Sequence, residues 1–237
     1  MIQNIPYCTN FTMQMINNKN TLNIFSDASM RKRGDILDSC YGSVAVCQDD
    51  IVDELFRINS ECTVPAGEIR GIRCSLSLAH KWKYMFKNIN IFSDSQIALF
   101  GLRDYIYNWK YNPADNMFYN GKNKLNLVKN QELYLECFQL LNILKETNIV
   151  NLYHQCGHVD NGRDNLINAI EVFKKSNNIH GKVDYNTIRY ISIYNNYVDS
   201  KSRSFIRRTN VYENIYYDPV SFYPQSDLPK SINIVKQ

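Results

Sequence analysis

Two short apolar segments of the chain each end in a Ser-Asp pair, and this feature constrains the fold more than any other. The segment 21–25 leads to the pair that ends at Asp27, and the segment 89–92 leads to the pair that ends at Asp94. Short apolar runs that are bounded by polar turn residues are typical of buried strands. Because the ends of adjacent strands can meet at one edge of a sheet, the two aspartates are candidates for a shared site.

The remaining hydrophobic pattern predicts a mixed sheet with helices packed on it. Strands are predicted at 41–47, 51–62 and 149–153, the first two forming an antiparallel meander with 21–25. Helices are predicted at 66–83, 131–147, 165–175 and 185–206, with one or two short helices at 95–111. The stretch 1–20 predicts an irregular lead-in, and 112–129, rich in Asn, Gly and Lys, predicts a loop.

Composition limits the domain number, the charge of possible partners and the cellular compartment, but it does not indicate a function. A chain of 237 residues suits one domain with additions, and a formal net charge of +4 permits a polyanionic partner without requiring one. Seven cysteines, an odd number with no CxxC pair, argue against a disulfide framework or zinc site and favour a reducing compartment. We find no secretory signal and no apolar stretch of the roughly 20 residues that cross a bilayer, so an intracellular, soluble protein is expected.

The acidic residues carry the candidate chemistry. Glu68 is placed in the first turn of the helix that lies between the strands of Asp27 and Asp94. Taken singly, each of the three is also typical of a turn or a helix cap. Brought together, they would repel one another unless a cation intervened. Such oxygen ligands suit Mg²⁺ or Mn²⁺, and two ions about 3.5–4 Å apart can promote phosphodiester hydrolysis.

Seven motifs in chain order resemble those of one family, the type 1 ribonucleases H. No single motif is specific, but the order is that of the family and spans residues 21–208. The motifs are I-F-S-D-A-S at 24–29, a T-x-x-A-x-E pattern at Thr63, Ala66 and Glu68, I-F-S-D-S-Q at 91–96, Gly101 with N-W-K at 108–110, V-K-N-Q-E-L at 128–133, C-G-H at 156–158, and N-N-Y-V-D at 195–199.

The resemblance implies an α/β fold: an RNase H-like five-stranded mixed sheet, three antiparallel strands first, with helices on both faces. It divides the chain into a lead-in at 1–20, a ribonuclease H domain at 21–208 and a C-terminal extension at 209–237. Within the domain, a helical insertion at about 160–190 precedes the last helix. The insertion could alter substrate access or bind a protein partner, and the extension could cover the domain surface or dock a partner. A monomer is expected.

The resemblance further implies an endonuclease that cleaves the RNA strand of RNA–DNA hybrids with two Mg²⁺ or Mn²⁺ ions, leaving 5′-phosphate ends. The implied metal ligands are Asp27, Glu68, Asp94 and Asp199. Glu68 would also orient the attacking water, and His158 would assist product departure or proton movement. Asp164, which lies shortly after His158, is the rival fourth ligand, because the insertion separates His158 from Asp199.

Five further residues match substrate-binding positions of the family. Thr63 and Asn130 match residues that hold a DNA-strand phosphate, while Tyr105 and Trp109 match aromatics along the DNA groove, where Lys110 adds positive charge. Core packing is the alternative for both aromatic residues.

The sequence departs from the family pattern beside Thr63. Val64 and Pro65 stand where members carry polar residues that contact the hybrid, and Glu61 stands where a basic residue would grip phosphate. Since the 2′-hydroxyl distinguishes RNA from DNA, two alternatives stay open: a nuclease of the same fold with another nucleic-acid substrate, and a non-catalytic nucleic-acid-binding protein.

Overall fold

The computed structural model describes residues 10–60, 62–121, 126–159 and 163–208. Strands in the described part are β1 Thr21–Arg33, β2 Ile36–Cys47, β3 Asp50–Asn59, β4 Asn88–Ser93, β5 Lys110–Asn112, β6 Met117–Asn120, β7 Asn126–Leu127 and β8 Ile149–His154. Helices are α1 Met13–Ile16, α2 Val64–Trp82, α3 Gln96–Phe100, α4 Gln131–Lys145, α5 Arg163–Ser176 and α6 Tyr185–Arg208, and α3 continues into a π-turn, Gly101–Tyr105, and a 3-10 turn, Ile106–Asn108. No described helix is long and apolar enough to cross a membrane.

Five strands form the main sheet in the order β3-β2-β1-β4-β8. The pairs β1–β2 and β2–β3 are antiparallel, and the pairs β1–β4 and β4–β8 are parallel. This arrangement confirms the five-stranded mixed sheet with three antiparallel strands first.

Helices cover both faces of this sheet because successive side chains of a strand point to opposite sides. Ile24 belongs to the core formed with α2, α3 and α4, whereas the next residue, Phe25, belongs to the core formed with α5 and α6. Both side chains have 0% exposure. The layered α/β architecture predicted from the sequence is therefore confirmed.

The parallel pairing of β1 and β4 brings the two Ser-Asp pairs side by side. Ser26 is in register with Ser93, and this is the last pair of the ladder. Asp27 and Asp94 follow directly at the same sheet edge. The sequence expectation that Asp27 closes its strand was wrong, because β1 continues to Arg33 in its antiparallel pairing with β2. Asp27 lies where β1 loses its parallel neighbour rather than where β1 ends.

The stretch predicted as a loop at 112–129 contains regular structure. β5, β6 and β7 form a second, three-stranded antiparallel sheet. Phe118 of β6 is 6% exposed, and its ring centroid lies 6.3 Å from that of Trp109. The sequence did not predict this small sheet, because Asn and Gly are typical of loops. The aromatic residues that anchor the sheet are also separated in the sequence, so they form no local pattern.

The described part of the N-terminal segment also departs from an irregular lead-in. It includes α1, and Phe11, with 1% exposure, forms a bridge to Val183. The segment therefore packs on the α5–α6 side of the sheet. The expectations for Glu61, for residues 1–9 and for the extension at 209–237 concern residues outside the described ones.

Candidate functional site

Three carboxylates converge at the sheet edge where β1 and β4 part. One oxygen each from Asp27, Glu68 and Asp94 lies within 4.8 Å of the other two. Asp27 comes from the middle of β1 and is 7% exposed, Asp94 follows β4, and Glu68 projects from α2. Glu68 lies in the second turn of its helix, because α2 begins at Val64 rather than at residue 66. A favourable interaction with the first-turn helix dipole therefore does not explain its position.

Two glycines allow α2 to approach the sheet closely enough to bring Glu68 over Asp27. A Cβ atom at Gly67 would overlap the side chain of Met30, and one at Gly71 would lie 3.3 Å from the carbonyl oxygen of Asp27. Both positions have ordinary helical backbones, so the close approach rather than the backbone conformation favours glycine here.

Burial and mutual repulsion make the three carboxylates unusually basic. Burial first, and then the neighbouring carboxylates, raises the pKa of Asp27 to about 8. Burial and then the charge of Asp94 raise the pKa of Glu68 to about 8 as well. Burial also raises the pKa of Asp94, although a hydrogen bond from Asn195 opposes the shift. Without a cation, the cluster therefore retains protons at neutral pH.

Asp199 lines the same cavity, of about 360 Å³, as the three converging carboxylates. It belongs to α6, and its Oδ2 atom accepts a hydrogen bond from Nη2 of Arg203 at 2.7 Å. His158, on the loop after β8, places its Nδ1 atom 3.7 Å from the same oxygen and 3.3 Å from the guanidinium of Arg203. The structure thus brings Asp199 and His158 to the pocket. The side chain of the rival ligand Asp164 lies outside the described residues.

The donor set of the pocket fits a divalent cation. Carboxylate oxygens are the ligands that Mg²⁺ and Mn²⁺ prefer. The Oε2 atom of Glu68 is buried and has no hydrogen-bond partner among the described residues, which is costly unless a cation or water satisfies it. Gly157 keeps the space beside Asp94 open, since a Cβ atom there would collide with the Asp94 carboxylate.

Sequence reasoning missed three residues that shape this pocket: Asn195, His154 and Arg203. Asn195 is 2% exposed and donates its side-chain amide to the Asp94 carboxylate. It precedes Asp199 by one helical turn, so its place in the N-N-Y-V-D motif was the available signal. His154, whose pKa is lowered by burial, places Nε2 3.2 Å from the backbone oxygen of Asp94. No local pattern in the sequence indicates that contact.

The five predicted substrate-binding residues do not line the acidic pocket within the described part of the chain. The Oγ1 atom of Thr63 accepts a hydrogen bond from the Ala66 amide at 3.4 Å and so caps α2. Asn130 precedes α4 in a left-handed conformation, with φ of 56° and no side-chain capping bond.

The aromatic candidates differ from each other in exposure. Tyr105 is 55% exposed, and Lys110 is exposed on β5. Trp109 is partly buried against the core, with its ring centroid 5.3 Å from that of Tyr134 in an edge-on arrangement. Trp109 thus contributes to packing whether or not its remaining surface meets a ligand.

The strand order, the parallel β1–β4–β8 ladders and the helices on both faces define an RNase H-like fold, the fold that the motifs implied. No family model matches the sequence, and no curated protein matches it.

Solved structures similar to this chain include three RNase H proteins. RNase H1 of Halobacterium salinarum is 17% identical, with a TM-score of 0.41, over 57% of this chain and 86% of that one. An N-terminal RNase H domain of Mycobacterium tuberculosis is 14% identical, with a TM-score of 0.38, over 72% and 96%. The PFV RNase H domain is 12% identical, with a TM-score of 0.43, over 72% and 99%. At these identities and TM-scores the likenesses carry no argument about function, and the fold assignment rests on the strand order and pairing of the chain itself.

Proposed function

We propose that this protein is a metal-dependent nuclease that hydrolyses the RNA strand of RNA–DNA hybrids. The observation that carries the proposal is the buried convergence of Asp27, Glu68 and Asp94, with oxygens within 4.8 Å. Buried carboxylates of like charge are stable in such proximity only when protons or cations neutralise them. A pocket of hard oxygen donors that opens to solvent is suited to divalent cations and to a phosphate bound to them.

Asp27, Glu68 and Asp94 would hold the cations, and Asp199, which lines the same cavity, would complete the ligand set. When bound there, two Mg²⁺ or Mn²⁺ ions would acidify a water nucleophile and stabilise the charge on the departing oxygen. These four carboxylates come from separate elements, so the fold rather than a local loop sets their geometry.

Other atoms of the chain have separate tasks in the proposed reaction. Glu68, which lines the cavity, would also orient the attacking water. Asn195 fixes the rotamer of Asp94 by its amide hydrogen bond. His158, whose side chain is 70% exposed, stands at the rim, where it can deliver a proton to the 3′-oxygen when the P–O3′ bond breaks. The products would carry 5′-phosphate and 3′-hydroxyl ends.

The choice of an RNA–DNA hybrid as substrate rests on the sequence motifs. Thr63 and Asn130 would contact a phosphate of the DNA strand. Tyr105, Trp109 and Lys110 would lie along the groove that binds the same strand. The exposed Tyr105 ring and Lys110 ammonium suit sugar stacking and phosphate pairing.

Cleavage assays on three labelled substrates test the proposal. With Mg²⁺ or Mn²⁺, the purified protein should cut RNA annealed to DNA and leave duplex DNA and free RNA intact. Chelation of the metal should stop cleavage. Hydrolysis that persists in excess chelator would rule out the proposed chemistry.

A second candidate is a nuclease of the same fold with another nucleic-acid substrate. Val64, at the start of α2, is 50% exposed and offers no hydrogen-bonding side chain, and Pro65 follows it. Discrimination through 2′-hydroxyl contacts at this point would fall to backbone atoms alone. Equal rates on the three substrates would favour this candidate over the hybrid-specific enzyme.

A further inference from the structure

The outer edge of β8 lies beside the acidic pocket, and its backbone needs a partner. β8 is the last strand of the main sheet. The amide of Gln155 donates inward to Ser93 at 3.0 Å, so the neighbouring amide and carbonyl of His154 face away from β4. Unpaired groups on a sheet edge must be covered or satisfied by other means.

A single asparagine side chain satisfies both outward groups of His154. Oδ1 of Asn177 accepts a hydrogen bond from the His154 amide at 2.9 Å, and Nδ2 of Asn177 donates to the His154 carbonyl at 2.7 Å. The carboxamide thereby takes the place that one residue of a sixth strand would occupy. Asn177 directly follows α5, so this contact comes from the segment at about 160–190, which the resemblance predicts to be an insertion.

The position of Asn177 is itself fixed from two sides. Its Nδ2 atom also donates to the carbonyl of Phe173 at 2.8 Å, near the end of α5. Its Oδ1 atom also accepts from Nη1 of Arg103 at 3.2 Å, and Nη2 of Arg103 donates to the Ser176 carbonyl at 3.0 Å. α5 is thus joined to the π-turn after α3 through the same carboxamide.

His154 transmits this anchor to the pocket. Its imidazole is buried, packs on the ring of Phe100 at 5.6 Å between centroids, and places Nε2 3.2 Å from the carbonyl oxygen of Asp94. The loop after His154 then reaches Gly157, where a Cβ atom would collide with the Asp94 carboxylate, and His158 at the rim. Any shift of the β8 end would therefore move both Asp94 and the histidine loop.

From these contacts we propose that Asn177 is a positioning residue for the cation site and acts through His154 on Asp94. One role of α5 and the turn after it is then to hold Asn177 in place. The proposal rests on the proposed function only in taking the acidic pocket as a site for divalent cations. It assigns to the predicted insertion a role inside the protein in addition to any contact with a substrate or partner.

The proposal is tested by titrating the protein with Mn²⁺ in the absence of nucleic acid and measuring binding by electron paramagnetic resonance. Asn177→Ala should weaken Mn²⁺ binding about 10-fold, the lower end of the range for residues that orient metal ligands. Asn177→Asp keeps an acceptor for the His154 amide but turns a carboxylate oxygen towards the carbonyls of His154 and Phe173, so it should weaken Mn²⁺ binding at least as much as Asn177→Ala. Glu171→Gln removes an exposed ion pair with Lys174 on the same helix and should leave Mn²⁺ binding unchanged.

A purely structural role for Asn177 predicts a different result. Asn177→Ala and Asn177→Asp would then lower the melting temperature but, in assays well below that temperature, bind Mn²⁺ like the wild type. That outcome would overturn the proposal, as would a wild-type protein that binds no Mn²⁺. A wild type that binds Mn²⁺ in an Asn177-dependent manner but cleaves no nucleic acid would support the positioning role and contradict the proposed function instead.

Discussion

The two halves of the acidic pocket differ in how the protein balances their negative charge. On the β1–α2–β4 side, neither Asp27 nor Glu68 forms an ion pair with any described residue, and burial raises the pKa of each to about 8. On the α6 side, Asp199 already has Arg203 at 2.7 Å and His158 at 3.7 Å. The first half therefore depends on protons or an external cation for neutrality, whereas the second half is compensated by the chain itself.

This difference indicates a division of labour. The uncompensated side has the stronger demand for a divalent cation, because binding relieves repulsion that nothing else relieves. On the compensated side, a cation must compete with a guanidinium for the same oxygen. Substitutions on the two sides should consequently differ both in size of effect and in sign of the stability change.

The largest effect is expected from Asp94→Asn, which removes a ligand charge without changing volume. Loss of metal-dependent stabilisation worth several kcal/mol should lower the cleavage rate about 10³-fold or more. In chelator at pH 8 the same variant should melt a few degrees above the wild type, because one repelling charge is gone. Rate assays and thermal melts on the same preparations measure both. Retained activity would remove Asp94 from the ligand set.

The next effect is a pH dependence of stability in the metal-free protein. In the unfolded chain, Asp27 and Glu68 titrate near pH 4, whereas in the folded protein their pKa values are about 8. The folded state therefore binds more protons between pH 4 and 8, so the free energy of unfolding should decrease as pH rises through this window. The slope should be about 1.4 kcal/mol per pH unit for each extra proton at most.

Chemical denaturation in chelator at several pH values measures this slope. Asp27→Asn should make the slope shallower, while Mg²⁺ should restore stability most strongly at the upper end of the window. A metal-free protein whose stability is constant or rises from pH 5 to pH 8 would contradict the assignment of buried, uncompensated carboxylates.

The sequence predicted those features of the pocket that depend on residues close together in the chain, and it missed those that depend on contacts between distant segments. The apolar segments that lead to Asp27 and Asp94 could be predicted because apolar runs and Ser-Asp pairs are local signals, although β1 continues past Asp27 to Arg33. The start of α2 was placed too late, because Pro65 was taken to precede the helix, whereas proline is tolerated within the first helical turn. The apolar segments made a shared site for Asp27 and Asp94 a candidate, whereas the place of Asp199 in the same pocket could be expected only from the order of motifs.

The charge compensation on the α6 side could not be predicted, since it depends on contacts between distant segments. Arg203 meets His158 across 45 residues of sequence, and Asn195 reaches Asp94 from another element. The hairpin β5–β7 was missed for the same reason, because Trp109 and Phe118 become neighbours only after folding.

An intermediate effect is expected for the fourth acidic position. Asp199→Asn should reduce the cleavage rate about 10- to 100-fold, less than Asp94→Asn, because Arg203 already neutralises much of the Asp199 charge. Asp164→Asn, compared under identical conditions, should leave the rate unchanged. Metal titrations of both variants would show whether the loss comes from weaker metal binding. A loss confined to Asp164→Asn would reverse the assignment of the fourth ligand.

The smallest effect is expected from Arg203→Gln, which leaves all four carboxylates in place. Removing the guanidinium should increase the affinity for Mn²⁺, because the cation no longer competes for the Oδ2 atom of Asp199. Arg203 is exposed, although Asp199 is largely covered. Ion pairs at the protein surface contribute about 0.2–1 kcal/mol, so the change in affinity should stay below about 10-fold. Mn²⁺ titration at low and high salt measures it. The matched control Lys201→Gln, on the same helix as Arg203, removes an ion pair with Glu54 of β3 and a cation–π contact with Tyr197, none of which lines the acidic pocket. Weaker Mn²⁺ binding in Arg203→Gln, with unchanged binding in Lys201→Gln, would contradict this expectation. Arg203 would then hold Asp199 in position to bind the cation instead of competing with the cation. Both halves of the pocket would in that case favour cation binding, despite their different charge compensation.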